Sequence, residues 1–305
     1  MTARRRREVV AKRDGNDSDA KIQAVKLPIR LLAIDIDGTL LDPNFEISAA
    51  NIAALRRAHE SGIEIILVTG RRHAFAVPIA EKLGFYDKLW LISSNGAITR
   101  SFSGETFHRD LLPAATAKRL AAEMTAFRGN LVITFDQESK GALVLEHTHE
   151  LTGSIQRWLK SNMDFIEFVV PIEKALTRDP VQAMFCGGVE RMQQAQAALL
   201  ASDLKSDVTV LKTEYPHRDL CIMDVLNRDC SKGHALKRWA GYRGLHSEEV
   251  MAIGDNYNDV EMLEFAGTPV VMENAACGLK RNGWHVTRSN SEDGVAAAVE
   301  KFVSF

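Results

Sequence analysis

Several features are scarce in this 305-residue chain. No apolar run approaches the ~20 residues that a helix needs to cross a bilayer, so no membrane partner is expected. The four cysteines, Cys186, Cys221, Cys230 and Cys277, form no CxxC pair. That argues against a zinc site or a disulfide framework and fits reduced thiols in the cytoplasm. The histidines are scattered, with no HExxH pair. A net charge of −2 gives little attraction for nucleic acid or anionic lipid, and no nucleic-acid partner is expected. The first residues are polar, with Arg4 to Arg7 in a block and no apolar stretch of the kind a secretory signal carries. Residues 1–25 read as a disordered tail.

What is present is a strand-and-helix rhythm. Leu31 to Ile36, Ile63 to Val68 and Leu89 to Ile92 are continuous apolar runs, separated by helical patterns that Ser48 opens and Gly62 and Gly84 close. Unbroken apolar strands alternating with helices predict an α/β chain with a Rossmann-like parallel sheet covered on both faces. The rhythm breaks near residue 99, where short strand-like pieces mix with helix candidates at Ala114 to Phe127, Leu151 to Lys160 and Glu190 to Leu200. It resumes after Arg218 with Leu220 to Val225, a helix capped by Ser231, and the run Val250 to Ile253. The predicted organisation is therefore a core formed by residues 26–98 and 218–305, with an α+β segment inserted at 99–217.

Polar clusters sit where the apolar runs stop. They are Asp35 and Asp37, Thr69-Gly70-Arg71, Ser93 to Gly96, and Asp255 to Asp259. In an open parallel sheet, ligands bind beyond the carboxyl ends of the strands. Parallel strands would gather all four clusters at one edge. Carboxylates beside core strands are costly unless a cation or hydrogen bonds offset the charge, and an oxygen-lined pocket of this kind suits Mg²⁺ and, with it, phosphate. Each residue has a plain reading when taken alone. Asp255 could cap a helix, Thr69-Gly70 could be a turn, and Lys232 could be a solvated lysine. Those readings together require four coincidences at strand ends.

The set resembles the haloacid dehalogenase superfamily, and within it the Cof-type phosphatases. Asp35-Ile36-Asp37-Gly38-Thr39-Leu40 is similar to the first motif of that family, with Ile36 where Leu or Met is commoner. Val68-Thr69-Gly70-Arg71, Ser231-Lys232-Gly233 and Gly254-Asp255-Asn256-Tyr257-Asn258-Asp259 resemble the second, third and fourth. The resemblance implies a Mg²⁺-dependent phosphatase of small phosphorylated metabolites, sugar phosphates or related cofactors. Asp35 would be the nucleophile, forming a phospho-aspartate. Asp37 would be the general acid and then the base, its pKa raised by a neighbouring carboxylate. Asp35, the Asp37 carbonyl and Asp255 would hold the metal, with Asp259 supporting them directly or through water. Thr69, Gly70, Lys232 and Asn258 would contact the phosphoryl oxygens. The inserted segment would be a cap, a small sheet with helices on one face, closing over the pocket.

A phosphomutase or phosphotransferase on the same core is the alternative that these residues equally allow; a mutase would give isomerised sugar phosphate instead of free phosphate. A non-catalytic binding protein would be expected to have lost at least one of these positions. The runs His108-Arg109-Asp110-Leu111 and His217-Arg218-Asp219-Leu220 mimic a kinase catalytic loop, but Ala115 and Asp224 stand where that loop requires Asn.

Overall fold

The computed structural model describes residues 28–160, 162–215, 219–281 and 283–304. The expected tail and the His217-Arg218 pair lie outside the described residues. Among the described residues, fourteen strands form two sheets. In chain order they are β1 (Leu31–Asp35), β2 (Glu64–Val68), β3 (Trp90–Ser93), β4 (Ile98–Ser101), β5 (Thr106–Arg109), β6 (Leu131–Thr134) and β7 (Leu143–Leu145). There follow β8 (Ile166–Phe168), β9 (Gln182–Gly187), β10 (Val208–Tyr215), β11 (Leu220–Asn227), β12 (Val250–Gly254), β13 (Thr268–Val271) and β14 (His285–Val286). The helices are α1 (Ala49–Glu60), α2 (His73–Glu81), α3 (Ala114–Glu123), α4 (Gly153–Lys160), α5 (Val189–Ala201), α6 (Lys232–Tyr242), α7 (Val260–Phe265) and α8 (Gly294–Phe302).

The first sheet runs β14-β13-β12-β1-β2-β3-β4-β5. Its strands are parallel from β14 to β3, and β4 and β5 add an antiparallel hairpin at the edge. The continuous apolar runs follow from cover on both faces, because alternate residues of a strand point to opposite sides. Leu32, Ile34, Ile65, Leu67 and Ile253 pack with α1, α2 and α8. Leu31, Ala33, Ile66, Val68, Val250 and Ala252 pack with α6 and α7. Register sets Leu31 opposite both Val250 and Glu64, so β1 lies between β2 and β12. Three of the polar clusters thereby come to the same end of three adjacent strands.

The second sheet, β10-β11-β9-β6-β7-β8, is antiparallel apart from the β7–β8 pair. Here three sequence expectations are corrected. Leu220 to Val225 does not return to the core: β11 lies between β10 and β9 of the second sheet, paired from Val208↔Asn227 to Tyr215↔Leu220. An apolar run states that a strand exists, whereas hairpin pairing with β10 decides which sheet takes it. In the other direction, β4 and β5 extend the first sheet to Arg109, beyond the expected break near residue 99. The helices of the second sheet are also not confined to one face. Buried residues of α3 and α5 pack with Ile133, Val144 and Phe185, whereas Ile155 and Leu159 of α4 pack with Val132, Leu143 and Leu145. Both faces are apolar, so both require cover.

The chain passes between the sheets after β5 and again between β11 and α6. The two crossings are joined, since Asn227 Nδ2 donates to Asp110 Oδ1 at 2.7 Å and Arg238 ion-pairs with Asp110 at 3.3 Å. Among the described residues, no helix is long and apolar enough to cross a membrane.

Helix α6 is fixed to the first sheet through Trp239. Its ring is fully buried, lies 4.5 Å from that of Trp90, and donates from Nε1 to Glu64 at 2.7 Å. Trp239→Ala is expected to destabilise the protein by about 3–5 kcal/mol, as read by urea unfolding. A loss under 1 kcal/mol would contradict this packing role.

Candidate active site

Asp35 is the last residue of β1, and Asp255 follows the last residue of β12. Because these strands are neighbours, the two carboxylates stand side by side. Asp259 follows on the short turn Tyr257–Asp259 and is fully buried. One of its oxygens, Oδ2, accepts the backbone N–H groups of Asp255 and Asn256, each at 3.0 Å. Carboxylate oxygens of Asp35, Asp255 and Asp259 all lie within 4.8 Å of one another. Thr39 Oγ1 donates to Asp255 Oδ1 at 3.0 Å. Gly38, at φ +83°, makes this approach possible: a Cβ there would sit 2.4 Å from Asp255 Oδ2.

Lys232 opens α6, and its ammonium reaches into the cluster. It donates to Asp35 Oδ1 at 2.6 Å and to Asp259 Oδ1 at 2.7 Å, with its side chain 2% exposed. The solvated-surface reading of Lys232 is therefore wrong. Ser231 sets the start of this helix, accepting the His234 N–H at its hydroxyl.

The electrostatics show a shortage of positive charge. Burial, then the neighbouring Asp259, drives the Asp35 carboxyl well above the usual carboxylate range, against the opposing pull of Lys232. Burial and Asp259 push Asp255 up to about 7. Burial would lower the Lys232 ammonium, but Asp259 and Asp35 together hold it above its ordinary value. One ammonium thus faces three clustered carboxylates, two of them buried. Hard oxygen donors carrying excess negative charge are the donor set that a Mg²⁺-like cation takes, so these residues fit such an ion.

The other predicted residues lie around this cluster. Thr69 is buried at the end of β2, and its Oγ1 accepts the Arg71 N–H at 3.1 Å. Gly70 lies against Asn95, where a Cβ would be 3.0 Å from Asn95 Oδ1. That same oxygen accepts Asn258 Nδ2 at 3.0 Å. Gly70 and Asn258 therefore meet through Asn95.

Asp37 departs from expectation. Its carboxylate stands apart from the three-acid cluster and is held by Arg71, with Nε to Oδ2 at 2.7 Å and Nη2 to Oδ1 at 2.5 Å. The neighbour that governs it is a guanidinium instead of a carboxylate. Sequence reasoning assigned no role to Arg71, Thr39 or Asn95. Arg71 and Asn95 stood inside recognised strand-end clusters, which was the available signal.

A family model for haloacid dehalogenase-like hydrolases matches residues 32–299. The chain belongs to that family. Among its curated relatives, "Phosphatase YwpJ" of Bacillus subtilis is 30% identical over 296 residues, covering 88% of this chain and 98% of that protein. "Pyridoxal phosphate phosphatase YbhA" of Escherichia coli is 31% identical over 288 residues, covering 88% and 96%. A solved haloacid dehalogenase-like hydrolase from Bacteroides thetaiotaomicron superposes with a TM-score of 0.74 at 27% identity, covering 90% of this chain and 99% of that one. The chain is accordingly an enzyme of the haloacid dehalogenase superfamily, a hydrolase of phosphate monoesters.

Removing the single ammonium would leave buried carboxylates unpaired. Lys232→Met is expected to cost this haloacid dehalogenase-like hydrolase about 3–5 kcal/mol of folding stability in chelator-treated buffer, read by urea unfolding. Unchanged stability would mean that the ion pairs are not formed in solution.

Proposed function

We propose that this phosphatase hydrolyses small phosphorylated metabolites, sugar phosphates or related cofactors, through a phospho-aspartate on Asp35 and with Mg²⁺ as cofactor. The observation that carries this reading is the cluster of Asp35, Asp255 and Asp259 around Lys232 at the carboxyl end of the parallel strands. Asp35, Asp255 and Asp259, with the Asp37 carbonyl, are the groups proposed to hold the ion. Bound there, Mg²⁺ supplies positive charge to the phosphoryl oxygens.

Lys232 holds one oxygen of Asp35 and so fixes the carboxylate that attacks. In the first half-reaction an Asp35 oxygen bonds to phosphorus and the bond from phosphorus to the leaving oxygen breaks. Asp37 gives that oxygen its proton. In the second, Asp37 takes a proton from water as the water oxygen bonds to phosphorus and the Asp35–phosphorus bond breaks. Inorganic phosphate leaves and both acids are restored. Arg71, bonded twice to Asp37, sets the direction of that carboxylate.

Thr69 accepts the Arg71 N–H at its hydroxyl oxygen, which leaves its proton for a phosphoryl oxygen. The Gly70 backbone and the second N–H of Asn258 complete the cradle. Together these groups position and neutralise a transferring phosphoryl group, which is most of what that chemistry requires.

The second sheet is assigned as the cap over this site, where it would exclude water and select the leaving group. Arg72, just past the Thr69-Gly70-Arg71 cluster, already donates to the Gln137 carbonyl beyond β6 at 2.7 Å. The relative named for pyridoxal phosphate supports a phosphorylated cofactor within the substrate class. The cytoplasm is the compartment proposed, on the strength of four unpaired cysteines.

Turnover of 4-nitrophenyl phosphate, followed by a panel of sugar and cofactor phosphates, tests the reading. Asp35→Asn is expected to lower kcat by about 10³-fold or more without loss of fold. Chelation should abolish the wild-type rate and added Mg²⁺ should restore it. Substantial activity in the Asn variant would remove Asp35 as nucleophile, and full activity in chelator would remove the metal.

A further inference from the structure

Asp224 is a buried acid that the proposed chemistry does not use. It lies on β11 of the second sheet, yet it reaches the first. Gln182 Nε2, from β9, donates to its Oδ1 at 2.8 Å, and Asn95 Nδ2 donates to its Oδ2 at 3.0 Å. All three side chains are buried. Asn95 occupies the left-handed region, at φ 54° and ψ 27°, in the turn that ends β3. Asn is among the few side chains that accept this conformation readily.

A carboxylate only accepts hydrogen bonds, whereas a carboxamide has one end of each kind. Asp224 therefore draws the nitrogen of Asn95 toward itself and turns the oxygen the other way. That oxygen receives Asn258 Nδ2 at 3.0 Å. With the near N–H of Asn258 engaged, its remaining N–H is directed by the same contact. Reversing the Asn95 amide would set its nitrogen against the Asn258 nitrogen and its oxygen against the Asp224 carboxylate, losing both bonds.

We propose that Asp224 is a positioning residue for phosphoryl transfer: through the orientation of the Asn95 amide, the second sheet fixes the donor that Asn258 offers to the phosphoryl group. The inference rests on the placement of Asn258 at that group. It goes beyond that placement by assigning a residue outside the first sheet to the reaction, and it links the seating of the second sheet to the readiness of the site.

The test is a double-mutant cycle on 4-nitrophenyl phosphate with saturating Mg²⁺ at pH 8, above the value of about 7 to which burial pushes Asp224. Asp224→Leu is expected to lower kcat/KM about tenfold or more, chiefly through kcat, with Asp224→Asn recovering at least about threefold because it keeps one acceptor. In an Asn258→Ala background the same Leu substitution should cost under about twofold, since its target is already gone. An undiminished cost in that background overturns the relay, as does wild-type kcat/KM in Asp224→Leu. If Asp224→Leu does not fold, Asn95→Gly takes its place, because glycine accepts the positive φ while deleting the amide. It should match the Asn258→Ala loss and add nothing to it, and additive losses refute the relay. If Asn258→Ala itself keeps full activity, the fault lies with the placement of Asn258 and not with the relay.

Discussion

One ammonium group holds the site together. Lys232 lies between Asp35 and Asp259, enclosed on all sides, and the third acid, Asp255, accepts from the Thr39 hydroxyl instead. Buried charge is tolerable only when paired, and here pairing is incomplete by construction. That deficit is useful. A site with too few positive charges is suited to a divalent cation and, under the function proposed, to the phosphoryl group of a substrate beside it. A fully neutralised cluster would be more stable and inert.

The scaffold serves this arrangement by adjacency. Strands β1 and β12 are 215 or more positions apart along the chain, judged from Asp35 and Val250, but parallel pairing makes them neighbours. Helix α6 brings Lys232 from one side, and the far end of that helix is fastened by Trp239 and by Arg243, both bonded to Glu64 at the start of β2. The position of the ammonium therefore depends on contacts at the opposite end of the sheet from the chemistry.

Much of this was legible in the sequence because the core obeys a simple physical rule. Strands covered on both faces are apolar throughout, and their polar residues can stand only at the ends. Asp35, Asp255, Asp259 and Lys232 were readable on that basis together with the family resemblance. Three features were not. The sheet that receives Leu220 to Asn227 is chosen by pairing with Val208 to Tyr215, a nonlocal choice that composition does not record. The position of α4 on the second face follows from Val132, Leu143 and Leu145 being apolar between apolar neighbours, a signal present in the sequence but read only as strand. The Asp37 carboxylate was expected beside a like charge, but alternation along the chain at residues 35 and 37 says nothing of where a side chain in a turn will point. Arg71 settled that.

The bond between Asn227 and Asp110 has a mechanical consequence. It clamps the two strands of chain that pass from one sheet to the other into a single joint. Two tethers fastened together resist twisting and sliding, and leave bending about one line as the soft motion. Were the second sheet the cap proposed above, such a joint would return it to the same seat at each closure, and every substrate molecule would meet the same geometry.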